Sequence, residues 1–210
     1  MVDMKKILIA VLTSIFLCSA LTAETTFKSV CDKLAEHPNM TGKFTQVKTI
    51  SKLNRSLNSS GTFIFSLDGI MWKTEKPFPS TLAVGMTSVV QTMANGKQTV
   101  IDASTNQIFT SISSTLSAMF RGDEVKLSEN FNVNFSINGS SWTAVLSPKD
   151  KAVSSILSSI EVGGNYKESF AEMNKIVMTE ATKDTITYSF TEQKYPKELT
   201  ADEKAYFIAK

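Results

Sequence analysis

Side chains able to do covalent or acid–base chemistry are scarce in this 210-residue chain. There is one histidine, His37, standing before Pro38, and there are two cysteines, Cys18 and Cys31. A single imidazole excludes a His-based metal cluster. At the end of a helical segment it reads as a solvated cation, which leaves no Ser-His-Asp or Cys-His pair. The adjacent acids Asp123-Glu124 and Asp202-Glu203 have the pattern of solvated charge pairs, not of two carboxylates facing each other across a scissile bond. No glycine-rich loop cradles a phosphate, and Gly163-Gly164-Asn165 reads as a turn. Cys31 falls on the apolar stripe of a helix with no basic neighbour to lower its pKa, so an inert buried thiol is expected. The chain is therefore expected to be no enzyme and to need no cofactor or metal.

The chemistry left over is apolar. Thirteen Phe stand against the single His, so the rings either fill a core or form a ligand surface. The composition, 42% hydrophobic and 20% charged, is that of an ordinary globular chain. A chain of this size buries roughly 70% of its unfolded surface, enough to stand without disulfides or metal. With 22 basic and 20 acidic residues the net charge is +2, too balanced for an electrostatic nucleic-acid binder.

Residues 1–23 have the layout of a secretory signal peptide. Lys5 and Lys6 form the positive region, Ile7 to Leu17 is nearly all apolar, and Ser19-Ala20-Leu21-Thr22-Ala23 supplies small residues for cleavage after Ala23. The apolar run is short of the roughly 20 residues a bilayer-spanning helix needs. Cleavage would remove Cys18, leaving one thiol and no internal disulfide. Residues 24–210 are expected to form one exported domain.

The elements that must position the rings are mostly strands. Phe27, Val30, Cys31 and Leu34 recur at helical spacing over 25–37, and Pro38 ends that helix. The period then becomes two, over Lys43–Ile50 and Thr62–Leu67, with Ser51–Ser60 as a polar connection. Asp68-Gly69, Asn95-Gly96 and Asn138-Gly139 are hairpin turns, and Lys76-Pro77-Phe78-Pro79 interrupts the sheet. Further strands are expected at Ile70–Thr74, Thr81–Val84, Ser88–Met93, Gln98–Asp102, Gln107–Thr110, Phe131–Ile137, Ser141–Ser147, Ile160–Gly163, Lys175–Glu180 and Thr185–Phe190. Helical spacing returns at Ser113–Arg121, in a short helix from Asp150, and over Ala201–Ile208. Ten or eleven short strands with tight turns favour a curled or barrel-like antiparallel sheet. On such a sheet Phe63 and Phe65 share a strand face, as do Phe131 and Phe135. Either the rings pack one another, or a curved sheet leaves its concave face open with Ser113–Arg121 as a lid.

Several segments, in order, resemble the LolA-like outer-membrane lipoprotein carrier family, in a divergent branch. They are Phe44-Thr45-Gln46, Ser59-Ser60-Gly61-Thr62-Phe63, Gly69-x-x-Trp72 and Lys76-Pro77-Phe78-Pro79-Ser80-Thr81-Leu82. Leu116…Met119-Phe120-Arg121-Gly122-Asp123, Trp142-x-x-x-Leu146-x-Pro148 and Asp184-Thr185…Phe190 follow, so that the resemblance spans roughly residues 27–192. It implies a mainly β fold with a few helices: an unclosed, strongly curved antiparallel β-barrel with a helical lid. It implies a periplasmic carrier of acylated lipoprotein or another lipid, moving between inner and outer membrane with a donor protein at one and an acceptor at the other. A monomer is expected. The alternative on the same scaffold is an envelope sensor or assembly module that transports nothing. Main-branch carriers typically hold an Arg immediately before the strand Trp, where it latches the lid; here Met71 precedes Trp72. From the strand faces and the lid, the lipid-binding residues are expected to be Phe44, Phe63, Phe65, Trp72, Leu82, Val84 and Phe109, with Leu116, Met119 and Phe120 on the lid.

Overall fold

The computed structural model describes residues 25–85, 88–102, 117–118 and 121–207. The strands are β1 (Asn39–Ile50), β2 (Arg55–Ser66), β3 (Ile70–Lys76), β4 (Ser80–Val84), β5 (Ser88–Met93), β6 (Gln98–Asp102), β7 (Phe131–Asn138), β8 (Ser141–Pro148), β9 (Leu157–Lys167), β10 (Phe170–Glu180) and β11 (Thr185–Lys194). They form one antiparallel sheet in the order β6-β5-β4-β3-β2-β1-β11-β10-β9-β8-β7. Two meanders thus meet where β1 pairs with β11. Among the described strands β6 and β7 are the two edges, and the sheet is not closed. Among the described residues four helices with defined bounds accompany it: α1 (Phe27–Ala35), α2 (Glu124–Asn130), α3 (Lys151–Ser154) and α4 (Ala201–Lys204).

The sheet is strongly curved, and its rings show by how much. Strands β3 and β11 are three places apart, roughly 14 Å along a flat sheet at about 4.8 Å per strand. The rings of Trp72 on β3 and Tyr188 on β11 nevertheless lie 5.9 Å apart. Both point into the concave side. Alternation along every strand sends one set of side chains there, with Phe44, Phe63, Phe65, Trp142, Ala144, Leu146, Ile160, Val162, Met173, Ile176 and Phe190 buried among them. Helix α1 lies over the β7–β10 half of this face, with Val30 and Cys31 buried and Phe27 at 5.7 Å from Phe135. Its N-terminus carries a reciprocal capping box between Thr26 and Ser29. Leu127 buries α2 beside it.

Several local expectations are corrected. The stretch Ser51–Ser60 is not a connection: a tight turn at Ser51–Asn54, with Asn54 left-handed at φ 47°, leads straight into β2. The β2 arm of that hairpin is exposed on both faces over Arg55–Asn58, so it lacks the apolar alternation that marks a strand. Gly163-Gly164 is not a turn but lies within β9. A Cβ at Gly164 would sit 1.8 Å from the Glu172 carbonyl oxygen, so the glycine serves the close approach of β9 to β10. Asp123 is exposed and has a capping role besides: it is the N-cap of α2, accepting from Lys126 N at 3.1 Å. His37 is half-buried, its ring 4.4 Å from that of Tyr195 and 5.3 Å from that of Phe170, because the chain turns inward towards β1 at that point. Of the expected strand Gln107–Thr110 and helix Ser113–Arg121, only Ser117, Ala118 and Arg121 fall within the described residues, and these three are helical.

The Ser59-Ser60-Gly61 motif has a structural cause. The β2–β3 register shifts between Ser60 and Gly61, and a Cβ on Gly61 would lie 1.9 Å from the Lys73 carbonyl oxygen. Gly61→Ala must therefore push β3 off β2. A loss of about 1–3 kcal/mol is expected in urea unfolding, whereas Gly96→Ala meets no atom within 4 Å and strains only its own φ of 79°.

Candidate lipid-binding site

The concave face contains a cavity of about 310 Å³ where the two meanders meet. Its apolar wall is made by Phe44, Trp72, Leu82, Ile176, Met178 and Tyr188, and its polar wall by Gln46, Thr74, Ser80 and Gln91. Every one of these points to the same side of the sheet, because paired positions across β10, β11, β1, β3, β4 and β5 share a face. Among the described residues three aromatic rings and no carboxylate line it, a lining that favours hydrocarbon over anionic groups. Its volume is at the lower end of the roughly 300–1,000 Å³ of small-molecule sites. A second cavity, of about 320 Å³, lies on the convex face under α4; Thr81, Thr92 and Gln98 line it, and so does the acidic Asp202, a charge with no counterpart among the described residues of the concave cavity.

Of the sequence-expected residues, Phe44, Trp72 and Leu82 are brought together in this wall. Phe63, Phe65 and Val84 point to the same face but are buried in the packed core next to it. Phe63 stacks 4.5 Å from Phe65 and 4.9 Å from Phe190, and Phe65 meets Trp72 at 5.4 Å in an edge-on arrangement. Phe109, Leu116, Met119 and Phe120 lie outside the described residues. Sequence reasoning missed Ile176, Met178 and Tyr188. The signal was present as alternation in Lys175–Glu180 and Thr185–Phe190, but nothing local says that those strands curl round to face β3 and β4.

Met71 is on the opposite face. The β2–β3 pairing is regular from Gly61 to Phe65, so Met71 points away from Trp72 and packs with Ile64, Ala83 and Leu199 beneath Tyr206 and Phe207. A polar tie between helical segment and sheet does exist at Arg121, whose guanidinium Nη2 donates to the Leu67 carbonyl in the β2–β3 turn. The next residue, Gly122, sits at φ 63° with its α-carbon so close to α1 that a Cβ would be 1.9 Å from the Cys31 carbonyl oxygen.

Tyr188 in the cavity wall and Cys31 on α1 are both held neutral. Burial pushes the Tyr188 phenol up to about 12. Burial, then the nearby carboxylates of Glu124, Asp32 and Asp123, push the Cys31 thiol up to about 12. Cys31 is therefore expected to resist alkylation in the native protein and react only on unfolding. Both groups hold their protons more tightly folded than unfolded. Their stabilising contribution is complete below the ordinary values of 9.0 and 10.0 and is lost as pH rises towards 12. Melting temperature should accordingly fall across that alkaline window. Among the described residues no group of His, Cys, Asp and Glu could hold a metal, and no helix is long and apolar enough to cross a membrane.

No curated protein matches the chain. Among solved structures it is similar to a LolA superfamily protein from Nitrosomonas europaea, at 9% identity and a TM-score of 0.46, over 87% of this chain and 97% of that one. It is also similar to a putative outer membrane lipoprotein-sorting protein domain from Vibrio parahaemolyticus, at 10% identity and a TM-score of 0.46, over 87% and 98%. A DUF1329 family protein from Desulfovibrio piger is similar at 10% identity and a TM-score of 0.49, over 87% and 94%. The family model described as outer membrane lipoprotein carrier protein LolA matches residues 36–204, and with an unclosed, curved antiparallel sheet around an apolar concavity the chain belongs to that family.

Proposed function

We propose that this protein is a periplasmic carrier that buries acyl chains of lipoproteins or of another lipid in the concave face and moves them between inner and outer membrane. In this reading residues 1–23 are a cleaved leader and 24–210 one monomeric carrier domain, loaded by an inner-membrane donor and unloaded by an outer-membrane acceptor. The observation that carries it is the ring-lined cavity at the β1–β11 junction, in a chain of a lipoprotein-carrier family. The work is binding, not catalysis. Burial contributes about 0.8 kcal/mol per CH₂, so a sixteen-carbon chain offers on the order of 12 kcal/mol before opening and ordering costs. A cavity of about 310 Å³ needs the face to open further for a whole chain, which moderates that affinity and permits release.

The test is to purify the protein from the envelope without detergent, extract it and identify bound lipid by mass spectrometry. A stoichiometric acylated lipid is expected. Absence of lipid together with failure to take up a fluorescent acyl probe would falsify the carrier reading. A second reading, a sensor or assembly module with a filled interior, draws on the close packing of Phe63, Phe65 and Phe190. A stable protein partner retained by a lipid-free, probe-refractory protein would select it.

A further inference from the structure

The two tryptophans of the chain are treated differently by the fold. Trp142 is buried, and its indole Nε1 donates to the carbonyl oxygens of Glu172 at 3.2 Å and Asn165 at 3.3 Å. Trp72 Nε1 is sealed from solvent and has no acceptor, alone among the buried side-chain polar atoms of the described residues. A dry donor is destabilising, and native interiors rarely tolerate one without a use for it. The neighbouring positions show that an indole is not needed merely to fill space. Phe44 and Phe65 serve on the same face, and a Phe at position 72 would cover the same wall with no orphan donor.

We infer that Trp72 Nε1 is the donor to the acyl carbonyl of the cargo, so that the site selects ester- or amide-linked acyl chains over ether-linked alkyl chains and bare hydrocarbon. This rests on the cavity being the lipid site proposed above. The ring forms part of the cavity wall, yet its N–H is covered. A water gains only one or two hydrogen bonds by forcing its way in. An acyl chain brings apolar burial that drives Trp72 from the rings packed on it, Phe65 at 5.4 Å and Tyr188 at 5.9 Å, and its carbonyl then meets the uncovered donor. Two linkages share this carbonyl chemistry, and separate ligands distinguish them.

The experiment uses the purified protein with three chain-matched probes: methyl hexadecanoate, N-methylhexadecanamide and methyl hexadecyl ether. Affinities come from displacement of a fluorescent acyl probe, and the two indole N–H resonances are followed by ¹⁵N NMR. The ester, the amide or both should bind about tenfold more tightly than the ether and move the Trp72 resonance downfield, with Trp142 unmoved. Whichever probe does so names the linkage. Trp72→Phe should erase that preference, so that ester, amide and ether bind alike. Equal affinity for all three with an unmoved Trp72 resonance overturns the inference and leaves the lipid site standing. Binding of none of the three overturns both.

Discussion

Leu82→Glu is expected to weaken acyl-probe binding at least a hundredfold, about 2.7 kcal/mol, while the protein stays folded. Leu82 lies in the cavity wall opposite Trp72 on the neighbouring strand, yet it is 36% exposed. In the empty protein a carboxylate there keeps its water. In the loaded protein the acyl chain must strip that water, and no described cation lines the cavity to replace it. Stability should change by only about 0.5 kcal/mol, as for exposed positions generally. Val100→Glu is the control, because that side chain is 64% exposed and lines the convex cavity. Fluorescence titration of both variants separates the two faces: equal losses, or none, would remove the concave cavity as the binding site.

Phe63→Ala should have the larger effect on folding. Phe63 is 0% exposed, holds Phe65 and Phe190 in ring contact and packs its edge on Gly42, where a Cβ would lie 2.9 Å from Phe63 Cε1. Truncating such a ring leaves a void that a curled sheet braced on both sides cannot close. The expected cost is about 3–5 kcal/mol, a large share of the roughly 5–15 kcal/mol that stabilise a domain. Phe63→Glu should not fold. Urea unfolding measures the first and expression with circular dichroism the second; a loss under about 1 kcal/mol would mean that Phe63 faces ligand rather than its neighbours.

Alternation and turn chemistry were enough to read the strands, most hairpins and the placement of Phe44, Trp72 and Leu82 on one side. They act between near neighbours, which is why they reach no further. Curvature is a property of the whole sheet, so the approach of Tyr188, Ile176 and Met178 to the β3–β4 wall had no local signature. Gly163-Gly164 misled because close backbone approach between strands and a tight turn both call for glycine. The exposed half of β2 misled because a strand wet on both faces has no reason to alternate. Met71 follows the opposite pattern: a regular β3 necessarily places it opposite Trp72, but only the fold reveals that the segment from Leu199 to Phe207 covers it there.

Where an acyl chain lies can be read by photo-crosslinking. The purified protein would be loaded with a hexadecanoyl ester carrying a diazirine on its chain, irradiated, digested and mapped by mass spectrometry. Labels on Leu82, Gln91, Ile176, Met178 or Tyr188, suppressed in Leu82→Glu, are the predicted result. Labels confined to the convex-face residues Val90, Val100 and Tyr206, or none above the Leu82→Glu background, would contradict lipid carriage in the concave face.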